Sequence, residues 1–186
     1  IDNMMNLELL FEATRMSKDS SFHKIAIKHA NTTLKNHFRA DNSSFHVVVY
    51  DSISGKVKDK VTHQGYSNKS AWSRGQAWGI YGFTMSYRYT KDPAYLAQAQ
   101  ASANFFINHS NLPEDGIPYW DFNDPKIPNA PRDVSAAAIT ASALVELAKY
   151  SNNNPDYINY TEKVLKSLRS ERYVLPAKFQ APFILD

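Results

Sequence analysis

The pentapeptide KDPAY at residues 91–95 is followed by NNPDY at residues 153–157 and preceded by KDSSF at residues 18–22. Each copy has Asp or Asn, then Pro or Ser, and an aromatic residue two positions further on. Asp and Asn side chains cap helix N-termini, and Pro fits the first helical turn because an N–H there has no partner within the helix. The three copies therefore predict three helix starts, and the last two copies lie 62 residues apart.

The hydrophobic periodicity predicts two helices in each repeat of this length. The six predicted helices lie near residues 5–16, 20–37, 72–90, 93–108, 133–150 and 155–169. They pair into three helical hairpins. Residues 46–61 have the period of strands around a turn and predict a small β-hairpin between the first two helix pairs. Residues 112–131 hold five of the nine prolines and predict a long loop.

Three stacked helix pairs do not close on themselves, and their apolar flanks need cover. Six pairs of this period would close a ring of about 370 residues. We therefore predict an all-α fold, an (α/α)6 barrel or six-hairpin toroid with a small β-hairpin insertion. On this reading residues 1–186 are about half of the barrel, truncated at both ends, and they need the missing N-terminal half of the same barrel as a partner.

The composition limits the classes of ligand. A net charge of +3 without a long basic stripe argues against nucleic acid. The longest apolar stretch, residues 136–148, is too short to span a bilayer, so no membrane partner is expected. There are no cysteines, and the six histidines have no metal-binding spacing. Carboxylates, arginines and aromatic residues remain, a mixture typical of sugar sites.

Two roles are open to Asp2, which belongs to the segment IDNMMNL at residues 1–7. It can cap a helix, as Asp often does. Alternatively it is a general acid, for which apolar or anionic neighbours must favour the protonated carboxyl group. The sequence pattern alone favours the cap.

The predicted β-hairpin brings two polar residues to one open end. If Asp51 pairs near Lys56, His46 lies opposite Val61 and Gln64 leaves the same end. An imidazole and an amide could then face a common ligand. The alternative is that both are ordinary surface residues.

The segment WSRGQAW at residues 72–78 places Arg74 and Trp78 four residues apart on one helix face. This arrangement offers a ligand a guanidinium beside an indole platform, whereas the structural alternative is an Arg stacked on a core Trp. At the fifth helix, Asp133 is expected to cap the N-terminus with Arg132 as its partner.

Taken together, these segments resemble the unsaturated glucuronyl hydrolases of glycoside hydrolase family 88. The resemblance rests on DNMMNL at residues 2–7, His46 before a valine strand, QGYS at residues 64–67, WSRGQAW at residues 72–78 and the start of the fifth helix at residues 132–138. It implies an (α/α)6-barrel catalytic domain. The implied substrate is a Δ4,5-unsaturated glucuronic acid at the non-reducing end of oligosaccharides that lyases release from glycosaminoglycans such as chondroitin, hyaluronan or heparin.

The resemblance also implies site residues and a reaction. Asp2 matches the catalytic acid/base, and His46, Gln64 and Arg74 match polar contacts to the unsaturated sugar, on which Trp78 stacks. The implied reaction hydrates a vinyl ether: a carboxyl group protonates C4, water adds at C5, and the hemiketal rearranges and expels the remaining sugar. No metal or organic cofactor is expected.

Two alternatives stay open at this point. One is an unsaturated rhamnogalacturonyl hydrolase, although MMN at residues 4–6 and WSRGQ at residues 72–76 favour the glucuronyl group. The other is a non-catalytic carbohydrate-binding α-toroid. Because the family has another essential Asp in the first half of its barrel, we expect this chain alone to be inactive. Both the periplasm and the cytoplasm suit a bacterial enzyme of this kind.

Overall fold

The computed structural model describes residues 1–175, in which six α-helices, one 3-10 helix and two strands are found. In chain order they are the 3-10 helix Asp2–Asn6, α1 Leu7–Ser17, α2 Ser20–Asn36, β1 Val47–Tyr50, β2 Val57–Val61, α3 Ser73–Thr90, α4 Pro93–Ile107, α5 Val134–Tyr150 and α6 Pro155–Leu168. The six predicted helices are confirmed, with ends within two residues of those expected from periodicity.

The repeated pentapeptide starts helices as predicted. Asp19, Asp92 and Asn154 each accept a hydrogen bond from the backbone two residues ahead, at 2.8, 2.9 and 3.0 Å. The aromatic residues of the last two copies, Tyr95 and Tyr157, are buried in the core at 1% and 2% exposure. One motif therefore supplies both the cap of an outer helix and the side chain that anchors this helix.

The helices form two layers. The first helices of the hairpins, α1, α3 and α5, pack side by side, whereas α2, α4 and α6 each pack against the preceding helix. Because each hairpin returns the chain to the same end, the N-termini of α3 and α5 lie at one end of the stack. The start of the 3-10 helix before α1 lies at this end too, with Ile1 beside Gly75 of α3. This end is where any site built from helix starts must lie.

A glycine in α3 sets the position of the 3-10 helix. A Cβ atom on Gly82 would collide with the side chain of Met4, and it would also press on the Met4 backbone. Glycine usually weakens a helix, so its presence here reflects the close approach of another backbone. The 3-10 helix, which carries Asp2, is thus seated directly against α3.

The β-hairpin is present, but its register differs from the prediction by one residue. The turn is as expected, with the Asp51 N–H donating to the Lys56 carbonyl at 2.8 Å. An irregularity after Val49 then shifts the pairing, so that Val61 lies opposite Val47 rather than His46. The predicted pairing of His46 with Val61 was wrong because a β-bulge adds one residue to the second strand.

The long loop before α5 is tied down by Asp115. Its carboxylate accepts hydrogen bonds from Arg132 at 2.5 and 2.6 Å and from the Tyr173 hydroxyl at 2.7 Å. The expected partnership of Arg132 with Asp133 is therefore wrong. Arg132 also donates to the Ile117 carbonyl at 3.0 Å, so it closes the loop on itself.

Candidate active site

Polar side chains gather where α1, α3 and α5 begin. Asp2 lies in the 3-10 helix that leads into α1, Arg74 lies in the first turn of α3, and Asp133 caps α5. His46 joins them from the residue before β1. Three helix starts and one strand start therefore contribute to one region.

Asp2 faces His46. Its Oδ2 atom lies 3.5 Å from the His46 Nε2 atom, and the backbone nitrogen of Ile1 donates to the His46 carbonyl at 2.8 Å. The other carboxylate oxygen, Oδ1, is buried and has no hydrogen-bond partner within residues 1–175. The Asp2 side chain makes no capping hydrogen bond to a helix, so the alternative of a simple N-cap does not describe it.

The orientation of the His46 ring is fixed by the backbone of the loop that follows β2. The Nδ1 atom lies 3.1 Å from the His63 backbone nitrogen and 3.2 Å from the Gln64 backbone nitrogen. Both are donors, so Nδ1 must be the acceptor and the ring proton is assigned to Nε2. His46 thus directs an N–H group toward Asp2.

The structure brings Gln64 to His46 through its backbone, while the Gln64 side chain is exposed. The loop that carries it is held by the fully buried carboxylate of Asp121. This carboxylate accepts hydrogen bonds from the Tyr66 backbone at 2.9 Å and from the Ser70 hydroxyl at 2.7 Å. Asp121 was not identified from the sequence as a site residue.

Trp72 links His46 to Arg74. Its ring lies 4.5 Å from the His46 ring and 5.6 Å from the Arg74 guanidinium carbon, measured between centres. The sequence placed Arg74 beside Trp78, but its aromatic neighbour in the structure is Trp72. Trp72 is the first residue of the WSRGQAW segment, and it was missed because the four-residue helical spacing from Arg74 pointed to Trp78 instead.

Arg74 is held by Asp133. The Arg74 Nε and Nη2 atoms lie 3.1 and 3.0 Å from one oxygen of the Asp133 carboxylate. Trp78 lies one turn further along α3, where it is half-buried and makes an edge contact with Tyr81 at 5.9 Å. Arg74 and Trp78 thus share a partly exposed helix face, as their spacing predicted.

The same face of α3 ends in a network of charged residues. Arg88 lies 3.0 Å from Glu8 of α1 and 3.1 Å from Glu146 of α5. The Tyr81 hydroxyl donates to Glu8 at 3.0 Å, and burial together with this carboxylate raises the pKa of Tyr81. Burial and Glu146 likewise raise the pKa of Tyr150. This network joins the first turn of α1 to the C-terminal parts of α3 and α5.

Asp2 and His46 also line a cleft of about 760 Å³ between the 3-10 helix, α2 and β1. Ile25, Lys28 and His37 contribute to its walls. Gln64, Arg74 and Trp78 lie outside this cleft. Of the predicted site residues, Asp2 and His46 are therefore in direct proximity, Gln64 joins them through its backbone, and Arg74 joins them through Trp72.

The part of the chain that the structure describes contains no group of three His, Asp or Glu side chains arranged to hold a metal ion. In the same part, every helix is too short or too polar to cross a membrane. The groups available for chemistry are a carboxyl group, an imidazole N–H, a guanidinium and aromatic rings. Such a set can transfer a proton and bind an anionic, partly apolar ligand.

Three stacked helical hairpins with a carboxyl, an imidazole and a guanidinium group on one side define an α/α domain. No family model matches the chain. The chain is, however, 61% identical over all 186 residues to the unsaturated glucuronyl hydrolase of Formosa agariphila, and it covers 46% of that protein. The resemblance found in the sequence is confirmed: this chain is a relative of the unsaturated glucuronyl hydrolases.

Solved structures support the same relationship. A crystal structure of an unsaturated glucuronyl hydrolase specific for heparin superimposes with a TM-score of 0.95 at 47% identity, over 99% of this chain and 50% of the other. A variant of the unsaturated glucuronyl hydrolase from Streptococcus agalactiae, solved in complex with dGlcA-GalNAc6S, superimposes with a TM-score of 0.77 at 36% identity. The match covers 94% of this chain and 47% of the other. The chain spans about half the length of the curated relatives that it matches, and its fold is about half of an (α/α)6 barrel.

Proposed function

We propose that the protein to which this chain belongs is an unsaturated glucuronyl hydrolase, and that residues 1–186 are one part of its catalytic domain. The observation that carries the proposal is the Asp2 carboxylate facing the His46 Nε2–H at 3.5 Å, in a chain 61% identical to such an enzyme. The names of the relatives favour this activity over an unsaturated rhamnogalacturonyl hydrolase and over a non-catalytic toroid.

The proposed substrate is an oligosaccharide with a Δ4,5-unsaturated glucuronic acid at its non-reducing end. Relatives are named for chondroitin disaccharides and for heparin, and one was solved with dGlcA-GalNAc6S. In the present chain, Arg74 would meet the sugar carboxylate. A charge-assisted hydrogen bond of this kind contributes about 1.5–3 kcal/mol. The ring of Trp78 would stack on the sugar, and His46 and Gln64 would bind its polar groups.

The proposed reaction begins with proton transfer from the Asp2 carboxyl group to C4 of the double bond. Positive charge then develops at C5, and a water molecule adds there after losing a proton to the same carboxylate. The resulting hemiketal opens and releases the remaining sugar. His46 assists because its Nε2–H is directed at Asp2 by the backbone donors on Nδ1, and it can stabilise the carboxylate between the two proton transfers.

The test uses the full-length protein and an unsaturated chondroitin disaccharide, with turnover followed by the loss of ultraviolet absorbance of the alkene. Wild-type protein should consume the alkene. Asp2→Asn should lower kcat by about 10²–10⁴-fold, the range expected for a general acid/base, while the disaccharide still binds. Asp59→Asn, in the exposed part of strand β2, is the matched control and should keep full turnover. Full activity of Asp2→Asn would remove Asp2 from the mechanism.

A further inference from the structure

Asp133 differs from the other Asp and Asn caps of the described helices. Its Oδ1 atom accepts the Ala136 N–H at 2.8 Å, as a helix cap does. Its Oδ2 atom accepts a hydrogen bond from the Arg74 Nε atom at 3.1 Å, and the Arg74 Nη2 atom lies 3.0 Å from the same oxygen as an ion pair. Both oxygens of one carboxylate are therefore committed, one to the start of α5 and the other to the start of α3.

Burial separates Asp133 from an ordinary cap. Asp19, Asp92 and Asn154 cap their helices from exposed or partly exposed positions. The Asp133 side chain is only 3% exposed. A helix cap needs no such burial, and a buried carboxylate is costly unless a positive charge accompanies it. The position of Asp133 is therefore explained by Arg74 as well as by α5.

The ion pair also determines which part of Arg74 remains available. The edge formed by Nε and Nη2 is occupied by Asp133, whereas Nη1 has no hydrogen-bond partner within residues 1–175. The Arg74 side chain is 41% exposed and rests beside Trp72. A long side chain of this kind loses much rotamer freedom when it binds a ligand, unless it is already held in place.

We infer that Asp133 is a positioning residue, which holds Arg74 in the orientation that binds the carboxylate of the substrate. The inference rests on the proposed function and adds a residue to it. Asp133 does not touch the sugar in this scheme. It fixes one edge of the guanidinium, so that the other edge faces the substrate without a further loss of side-chain rotamer freedom. Because Asp133 also caps α5, the position of Arg74 depends on the packing of α3 against α5.

The test compares Asp133→Asn with wild type in the full-length protein, using the unsaturated chondroitin disaccharide. Asn is as good a helix cap as Asp but carries no charge to hold Arg74. We expect KM to rise about tenfold while kcat changes by less than about threefold, because one charge-assisted interaction is lost from binding. Asp133→Ser, a second uncharged cap, provides the same comparison if Asp133→Asn folds poorly.

Asp92→Asn is the matched control. Asp92 caps α4 by accepting a hydrogen bond from the Ala94 backbone at 2.9 Å, two residues ahead rather than three as for Asp133. It has no arginine partner among the described residues. Its KM should equal that of wild type. A change of the same size in Asp92→Asn and Asp133→Asn would show that capping alone is responsible, and this would overturn the inference.

A double-mutant cycle separates positioning from general stabilisation. In an Arg74→Ala background, Asp133→Asn should have no further effect on KM, because Asp133 affects substrate binding only by holding Arg74. Equal effects with and without Arg74, or an unchanged or lower KM in the single variant, would overturn the role of Asp133 and leave the proposed function intact. Absence of turnover by the wild-type protein would overturn both.

Discussion

The Nε2 atom of His46 lies 3.5 Å from the Asp2 carboxylate, while the opposite ring nitrogen receives two backbone N–H groups. The ring is therefore oriented by the main chain of the loop after β2 rather than by another side chain. This arrangement determines which nitrogen carries the proton next to Asp2.

We predict that His46 is the Nε2–H tautomer in the full-length protein. The backbone nitrogens of His63 and Gln64 both approach Nδ1, which cannot carry a proton and accept at the same time. Two-bond proton–nitrogen correlation spectra of labelled protein should show a protonated Nε2 and an unprotonated Nδ1. Detection of a proton on Nδ1 would contradict the orientation of the ring and its direction toward Asp2.

Replacement of Arg74 by Ala should raise KM by about 10–100-fold with the fold retained, since a charge-assisted hydrogen bond to the substrate is lost. Arg74→Lys should give an intermediate KM, because a lysine carries the charge but not the planar fork of donors. Steady-state kinetics and circular dichroism check both expectations. Arg15→Ala, which removes an exposed arginine paired with Glu12, is the control and should leave KM unchanged. An unchanged KM in Arg74→Ala would make Arg74 a purely structural residue.

Replacement of Asp121 by Asn should lower the free energy of unfolding by about 1–3 kcal/mol, because buried N–H and O–H donors lose a charged acceptor. The donors are the Tyr66 backbone and the Ser70 hydroxyl. Urea unfolding measures the change. Asp51→Asn is a matched control, since Asp51 accepts similar hydrogen bonds from Ser54 in an exposed turn. Equal losses in the two variants would show that burial of Asp121 is not the cause.

Acid should destabilise the fold through His37. Burial lowers the pKa of this imidazole from 6.5 to about 3, so the folded protein keeps it neutral where the unfolded chain takes up a proton. Stability from this residue is complete above about pH 6.5 and is lost as the pH falls toward 3. Unfolding free energies measured across this range should fall less steeply for His37→Gln than for wild type.

His63→Gln is the reference for this experiment because His63 is exposed. It changes an exposed histidine in the same way, so it controls for the substitution itself. A His37→Gln variant with the wild-type slope would show that His37 takes up its proton equally well in the folded and unfolded protein.

The helices could be predicted from the sequence because their signals are local. Asp92 and Pro93 lie beside each other, and the cap that they form needs only the next few residues. The number of helical hairpins and the barrel class followed from these starts and from their spacing. Asp2 and His46 were predicted as site residues from motifs that also stay within short segments, and the structure places them 3.5 Å apart.

The contacts that complete the site could not be predicted in this way. The Arg74–Asp133 pair joins residues 59 positions apart, a separation at which the sequence indicates no partner. Arg132 was wrongly predicted to pair with Asp133 because the two are adjacent in sequence, whereas its partner is Asp115. The hairpin register was missed for a different reason. The bulge is at Lys58, and its neighbours Val57 and Asp59 are exposed as well, so no alternation of buried and exposed side chains marks its position.

The absence of a side chain at Gly82 has a consequence for chemistry far from that residue. The 3-10 helix Asp2–Asn6 can approach α3 so closely at Met4 only because no side chain projects from position 82. A single added methyl group would push the 3-10 helix away from α3, and we expect this to move Asp2, the proposed acid, relative to His46. The position of the proposed acid thus depends on the space that a glycine leaves for Met4.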